Sequence, residues 1–148
     1  MRHDPARDVT PTWQTIELHS ARAWRRQEGA ALELVVEGHM ELALANWAQP
    51  IFDRCVRDRG VVVVFHDWLL APTYDAAYRE SWQRWLSQRR SLRQVHFLTR
   101  STLLRMGIAT ANLSFPGLPF VLHTDMVSYS TQRAAHMSPA SPPRVPAQ

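Results

Sequence analysis

The amino-acid sequence predicts a single α/β domain, in which helices pack on a four- or five-stranded mixed sheet with an antiparallel hairpin at its amino-terminal end. The run VVVVF at residues 61–65 shows no alternation of polar and apolar side chains, which is typical of a strand covered on both faces at the centre of a sheet. Segments with strand periodicity and segments with helix periodicity then take turns along the chain, and this order favours a mostly parallel sheet.

The first part of the chain predicts the hairpin and then a helix. Weak alternation over residues 13–26 indicates one half-buried strand or two short ones, and a turn separates it from an antiparallel strand at 31–37, which closes at a glycine. Apolar residues then recur at helical spacing from 40 to about 58. Pro50 predicts a kink in this helix, or a helix that begins only near Trp47, because proline lacks the backbone donor.

The rest of the chain repeats strand and helix. An apolar stripe formed by Tyr78, Trp82, Trp85 and Leu86 marks the clearest helix of the sequence. After the central strand, the predicted elements are a helix from 73 to about 90, a strand at 94–99, a helix from 101 to about 113, a strand at 120–123 and a helix over 125–136.

The two ends of the chain differ in composition from the middle. Residues 1–12 are polar and contain proline, which predicts a flexible leader, and residues 13–136 contain all the periodic segments of the predicted domain. Residues 137–148 read MSPASPPRVPAQ, too polar and rich in proline to contribute to a core, and predict a disordered tail.

Composition narrows the class of protein. The net charge is +4, but the arginines are scattered and form no long basic block, so we expect no nucleic-acid binding. No apolar run has the roughly 18 residues that a membrane span needs. The amino terminus lacks the apolar core of a secretory signal, which predicts a cytoplasmic protein. Cys55 is the single cysteine, and its helical spacing from apolar neighbours predicts a buried structural thiol.

The order of elements and several segments resemble the STAS family, whose best-known members are bacterial anti-sigma-factor antagonists, and in particular a divergent STAS-like branch that is also compared with lipid-binding CRAL-TRIO domains. The resemblance covers roughly residues 13–135. It is carried by four segments: Gly38-His39-Met40, VVVVFHDW at 61–68, TYDAAYRESWQRWL at 73–86 and STLLRMGIATANL at 101–113.

The resemblance implies a binding or regulatory module without catalysis or a cofactor. In anti-sigma-factor antagonists, an Asp-Ser pair begins the helix after the central strand, and its serine is a phosphorylation switch. This chain has Pro72-Thr73-Tyr74-Asp75 at that place. Thr73 takes the serine's position, although the Asp-Ser order and the glycine that follows it in the family are missing.

Polar side chains gather where the central strand is predicted to end. His66 and Asp67 follow the valine run, and Thr73 stands at the predicted start of the next helix. Because the carboxyl ends of parallel strands meet at one edge of a sheet, these residues are expected to form one rim. The full predicted set, as candidates for binding a partner or an anion, is His66, Asp67, Thr73, Tyr74, Asp75, Arg100 and Ser101.

Other interpretations of these residues remain open. Thr73 and Ser101 are also ordinary helix caps, and Asp75 is an ordinary first-turn acid. His66 and Asp67 are neighbours in a strand, so their side chains point to opposite faces and cannot form a catalytic pair. No nucleophile elbow, phosphate-binding loop or metal-ligand spacing is present. We therefore expect a non-enzymatic module that binds a protein partner, with a small lipid or anionic ligand as the alternative; the sequence sets no oligomeric state.

Overall fold

The computed structural model describes residues 12–88, 92–114 and 120–144 of the chain. Within these residues, ten elements follow one another in the order β1, β2, β3, α1, β4, α2, β5, α3, β6, α4. The strands are β1 (Gln14–Glu17), β2 (Ala21–Glu28), β3 (Ala31–Met40), β4 (Val62–Tyr74), β5 (Leu92–Leu98) and β6 (Phe120–His123). The helices are α1 (Leu42–Arg59), α2 (Ala76–Gln88), α3 (Thr102–Ser114) and α4 (Met126–Ala134).

The strands form one sheet in sequence order, from β1 at one edge to β6 at the other. β1, β2 and β3 are antiparallel, whereas β3, β4, β5 and β6 are parallel. The predicted mixed α/β fold with an antiparallel start is confirmed. The sheet has six strands rather than four or five, because the segment 13–26 forms two strands, one of the two possibilities left open.

The strand β3 continues past the glycine that was expected to end it. Gly38 has φ 102°, and a Cβ atom there would lie 2.4 Å from the backbone oxygen of Ser20. Only glycine fits this close approach of the chain. The strand therefore continues through Gly38 to Met40, and His39 lies at its carboxyl end.

The strand β4 is central, as predicted, and Val62, Val63, Val64 and Phe65 are buried. It is longer than predicted, however, and the next helix begins at Ala76 instead of Thr73. The extension has a partner: β3 pairs with it through His39 opposite Thr73 and Met40 opposite Tyr74, after two register shifts. The long β3 thus holds residues 67–74 in a strand.

Helices cover both faces of the sheet. Buried side chains of α1, α2 and α3 belong to the larger apolar cluster on one face, called here the three-helix face. α4 contributes Tyr129 to a smaller cluster on the other face, called here the α4 face. α1 runs through Pro50 without interruption, so a later start at Trp47 was wrong. Cys55 is buried and free, as predicted.

Part of the predicted disordered tail instead packs on the α4 face. Met137 is buried in the smaller cluster. The backbone nitrogen and the hydroxyl of Ser138 donate hydrogen bonds to the carboxylate of Glu28, at 3.0 and 2.6 Å, and Arg144 pairs with Glu37. A polar, proline-containing segment needs no core of its own when existing side chains bind its backbone. The predicted leader falls largely outside the described residues.

No helix in the described part of the chain is both long enough and apolar enough to span a bilayer.

Candidate functional site

The structure divides the predicted site residues among three places. Thr73, Asp75 and Ser101 lie at the carboxyl end of the parallel strands. His66 and Tyr74 line a cleft on the three-helix face. Asp67 is buried on the α4 face.

A histidine that was not predicted organises the first group. One imidazole nitrogen of His39, Nδ1, lies 2.7 Å from the Thr73 hydroxyl oxygen, and the other, Nε2, lies 2.6 Å from Asp75 Oδ1. The three residues come from the end of β3, the end of β4 and the start of α2. All are accessible, with 37% of the His39 side chain and 53% of the Asp75 side chain exposed.

Asp75 fixes the direction of the hydrogen bond at Nε2, whereas the Thr73 hydroxyl can donate or accept. An ionised carboxylate only accepts, so Nε2 carries a proton and donates it to Asp75. When Nδ1 carries no proton, it accepts the hydroxyl proton of Thr73. The Thr73 oxygen then keeps its lone pairs free on an accessible surface, with a base already bonded to its proton.

Asp75, not Thr73, takes the place of the residue before α2. Its carbonyl accepts from the backbone nitrogen of Arg79 at 3.2 Å, and its own nitrogen donates to the Met40 carbonyl at 2.9 Å. Thr73 lies in β4, so the expectation that it caps the helix was wrong. The reason is again the length of β3, which keeps Thr73 paired in the sheet.

Ser101 stands where the sequence placed it, before α3. Its hydroxyl donates to the Pro72 carbonyl at 2.8 Å and accepts from Leu104 N at 3.4 Å, which confirms the cap. This bond joins the start of α3 to the end of β4. We call His39, Thr73, Asp75 and Ser101 the rim. Arg100 lies at the same end of the sheet, but its Nε donates to the Thr124 carbonyl at 3.0 Å.

His66 is not at the rim, because β4 continues for eight residues beyond it. It is 5% exposed and stacks on Phe97, with ring centroids 5.2 Å apart and planes at 11°. Its ring also contacts Trp68 at 5.0 Å and Trp82 at 5.6 Å. Burial among these rings lowers the pKa of His66 to about 3, so the imidazole is neutral at physiological pH.

Asp67 points to the opposite face of β4, as expected for consecutive strand residues. It is 6% exposed, and its Oδ1 accepts from the backbone nitrogen of Leu69 at 3.2 Å. Burial raises the pKa of this carboxyl, and the nearby Glu33 raises it further. The prediction that these polar residues all form one rim is therefore wrong for His66 and for Asp67.

A largely apolar cleft opens between the sheet, α2 and α3 on the three-helix face. It encloses about 680 Å³ of space between atoms, part of it open to solvent. Tyr74 lies against α3 there: a Cβ at Gly107 would be 2.7 Å from the Tyr74 hydroxyl, so the glycine admits this ring. The aromatic lining residues are Phe52, Trp68, Tyr74, Tyr78, Trp82, Trp85, Phe97 and Phe120.

Four polar atoms of the residues lining this cleft are buried without a hydrogen-bond partner: Nδ1 of His66, Nε1 of Trp68, the hydroxyl of Tyr78 and Nε1 of Trp82. Burial raises the pKa of Tyr78, and the nearby Trp82 partly offsets this rise. The two side chains do not, however, have the geometry of a hydrogen bond. An unsatisfied buried group typically costs about 1–3 kcal/mol, and native proteins keep few of them.

On the α4 face, by contrast, buried charges meet each other. Glu33 has no exposed surface and Arg26 is 2% exposed. Glu33 Oε1 accepts from Arg26 Nε at 2.9 Å, and Oε2 accepts from the Tyr129 hydroxyl at 2.9 Å and from Arg133 Nη1 at 2.8 Å. Arg26 Nη2 lies 2.8 Å from Oε1, close enough for an ion pair but not aligned for a hydrogen bond. These contacts tie β2, β3 and α4 together.

A chain of hydrogen bonds on the same face connects two buried histidines. His96 Nε2 lies 3.1 Å from Gln94 Oε1, His96 Nδ1 lies 2.9 Å from His123 Nε2, and His123 Nδ1 lies 2.7 Å from the Ser128 hydroxyl. Two neutral rings satisfy every link, with each Nε2 donating and each Nδ1 accepting. Burial, together with charge repulsion from His123 and His136, lowers the pKa of His96 to about 4.

Within residues 12–88, 92–114 and 120–144, no three His, Cys, Asp or Glu side chains group in a way that could hold a metal ion.

Sequence reasoning missed His39 and the cleft. His39 follows a glycine in a segment that ended the predicted strand, so nothing placed it opposite Thr73. The only available signal was the quoted resemblance at residues 38–40. The cleft was missed because the ring-bearing stripe of α2 has the spacing of an ordinary core helix.

Comparison with known proteins supports the fold. No family model and no curated protein matches the sequence. Among solved structures, the chain is similar to an uncharacterized protein of the DUF3478 family with a SpoIIAA-like fold from Shewanella loihica PV-4, with a TM-score of 0.59, 12% identity, and coverage of 80% of this chain and 98% of that one.

It is also similar to an anti-sigma factor antagonist from Mycobacterium paratuberculosis, with a TM-score of 0.51, 11% identity, and coverage of 76% of this chain and 93% of that one. Identities this low establish architecture alone. The chain therefore has the SpoIIAA-like, STAS-like fold that the sequence resemblance predicted.

Proposed function

We propose that this chain is a non-catalytic regulatory module that binds a protein partner through the rim, and that the hydroxyl of Thr73 controls this binding. The observation that carries the proposal is the accessible relay from Asp75 through His39 to Thr73. The fold supports it, because one protein of similar structure is an anti-sigma factor antagonist.

The surroundings of the rim suit a protein partner. Ser101 anchors α3 beside the end of β4, and this helix exposes Leu103 by 46% and Met106 by 64%. Exposed apolar side chains next to polar groups are typical of protein interaction surfaces. The hydroxyl, imidazole and carboxylate groups of the rim supply the polar part of such a surface.

The local geometry makes Thr73 a good acceptor for a phosphoryl group. Where His39 Nδ1 accepts the hydroxyl proton, it can take that proton as the oxygen attacks the terminal phosphorus of ATP held by a kinase; the bond from this phosphorus to ADP breaks, and ADP leaves. The modified side chain adds roughly −1.5 to −2 charge next to the Asp75 carboxylate. Repulsion between the two, and loss of the Thr73–His39 hydrogen bond, changes the shape and charge of the rim together.

Capture of partners from the native host tests the proposal with three forms: wild type, Thr73→Ala and Thr73→Glu. We expect the Glu variant to lose a partner that wild type and the Ala variant retain. The matched control is the same pair of changes at Thr131, which is exposed on α4 and away from the rim. These control variants are expected to bind like wild type.

Two results would contradict the proposal of a non-catalytic module that binds its partner through the rim. Equal capture by all forms of Thr73 would remove the switch and the role of the rim. Hydrolysis of p-nitrophenyl acetate by wild type, lost in both Thr73→Val and His39→Gln, would show that the relay serves catalysis, since a hydroxyl, a histidine and a carboxylate in sequence are also the parts of a hydrolytic triad.

A further inference from the structure

We propose that the cleft on the three-helix face binds a small, uncharged, ring-containing molecule that carries a carbonyl-type acceptor oxygen. This site is separate from the rim and does not depend on the function proposed for it.

The shape and lining of the cleft suit a ring. The space between the lining residues is about 680 Å³ when solvent at the open mouth is included, and open clefts with mostly apolar walls are typical sites for small molecules. Phe52, Trp82 and Trp85 form a cluster on one side, with centroids 5.2–5.9 Å apart. Phe97 and Trp68 contact each other on the sheet, at 5.0 Å. Aromatic walls favour a flat partner, which stacks on them or meets them edge to face.

The unpartnered polar atoms select an acceptor on the ligand. The indole nitrogens of Trp68 and Trp82 can only donate hydrogen bonds, and the hydroxyl of Tyr78 can donate as well. All three residues line the cleft, and all three atoms lack partners. The neutral ring of His66 adds a fourth group that can donate or accept. A carbonyl oxygen on a ligand can accept a hydrogen bond from such a donor.

The charges around the cleft disfavour an ionic ligand. Among the residues that the structure describes, no acidic residue lines it, and the one charged lining residue, Arg79, is exposed to solvent. His66 is neutral. An ionised ligand placed among these rings would lose its hydration without a buried counter-charge, which is strongly unfavourable.

Two probes of nearly equal shape test the inference on the purified full chain: 2-acetylnaphthalene, which has a carbonyl, and 2-ethylnaphthalene, which has none. Dodecanoate serves as a third probe, for a lipid-like acid. Tryptophan fluorescence reports binding directly, since three of the six tryptophans, Trp68, Trp82 and Trp85, line the cleft. We expect the ketone to bind at least about tenfold more tightly than the hydrocarbon.

Variants separate the hydrogen bonds from the ring surface. Trp68→Phe and Trp82→Phe keep a ring and remove a donor, so they should reduce the preference for the ketone severalfold and leave the affinity for the hydrocarbon nearly unchanged. Trp47→Phe, on α1 and outside the cleft, is the matched control and should change neither. Circular dichroism checks that each variant is folded.

Equal affinity for the ketone and the hydrocarbon would overturn the role of the donors. Tighter binding of dodecanoate would overturn the ligand class and favour a lipid. No saturable binding of any probe, with wild type folded, would overturn the site.

Discussion

The two faces of the central sheet bury polar groups in opposite ways. On the α4 face, Glu33 accepts hydrogen bonds from Arg26, Tyr129 and Arg133, and the pair of histidines is satisfied along its whole chain. On the three-helix face, His66, Trp68, Tyr78 and Trp82 have unpartnered atoms of similar burial. The first arrangement fixes elements to each other, whereas the second leaves hydrogen-bonding capacity for something else. Burial of a polar group therefore does not distinguish structure from binding, but its partners do.

The largest expected effect is on the α4 face. Glu33→Gln removes the charge that neutralises Arg26, which is buried, and should lower the free energy of unfolding by about 3–5 kcal/mol. Urea unfolding measures it. Glu37→Gln, whose carboxylate faces Arg144 near the surface, is the matched control and should cost less than about 1 kcal/mol. A loss at Glu33 no larger than at Glu37 would mean that the buried cluster does not stabilise the fold.

The next effect is a dependence of stability on pH. The folded-state pKa values of His66 and His96 are about 3 and about 4, below the value of about 6.5 in the unfolded chain. As the pH falls, the unfolded chain thus binds protons before the folded chain does. The contribution of each neutral histidine to stability is therefore fully present above about pH 6.5 and is lost as the pH falls below it. By pH 5 each histidine should account for a loss of about 2 kcal/mol.

His66→Phe isolates one of these contributions, because the new ring can still stack on Phe97. The difference between the unfolding free energies at pH 7.5 and at pH 5 should shrink by about 2 kcal/mol in this variant. His19→Phe, at an exposed position in the bend after β1, is the control and should keep the wild-type difference. An unchanged pH dependence in His66→Phe would show that His66 is protonated in the folded chain.

The smallest expected effect on stability is at the rim. His39→Gln and Thr73→Val break hydrogen bonds between exposed groups, so each should change the free energy of unfolding by less than about 1 kcal/mol. Thermal unfolding measures it, beside capture of a partner. A large loss of stability would assign the relay to the fold and weaken its proposed role in binding.

The sequence predicted the architecture because its signals are local. The uncharged run of β4 and the stripe of α2 each identify their element without knowledge of the rest. The length of β4 was not predictable in this way, since residues 67–74 pair with β3, which passes Gly38 to reach Thr73 and Tyr74. That one non-local pairing displaced His66 from the rim and brought His39 into it.

The candidate site was predicted in part for the same reason. Thr73, Asp75 and Ser101 lie at the end of the sheet, where the topology of parallel strands places them. The opposite orientations of His66 and Asp67 followed from strand geometry alone. Whether a buried side chain has a partner, however, depends on elements far away in sequence: Tyr129 meets Glu33, whereas Tyr78 meets no acceptor.

The most direct test of the difference between the faces is the same change made once on each. Tyr129→Phe removes a hydroxyl that donates to the buried Glu33 carboxylate and should lower the free energy of unfolding by about 1.5–3 kcal/mol. Tyr78→Phe removes a buried hydroxyl that has no partner and should leave stability unchanged or raise it by about 1 kcal/mol. Equal losses in the two variants, measured by urea unfolding at pH 7.5, would contradict the account.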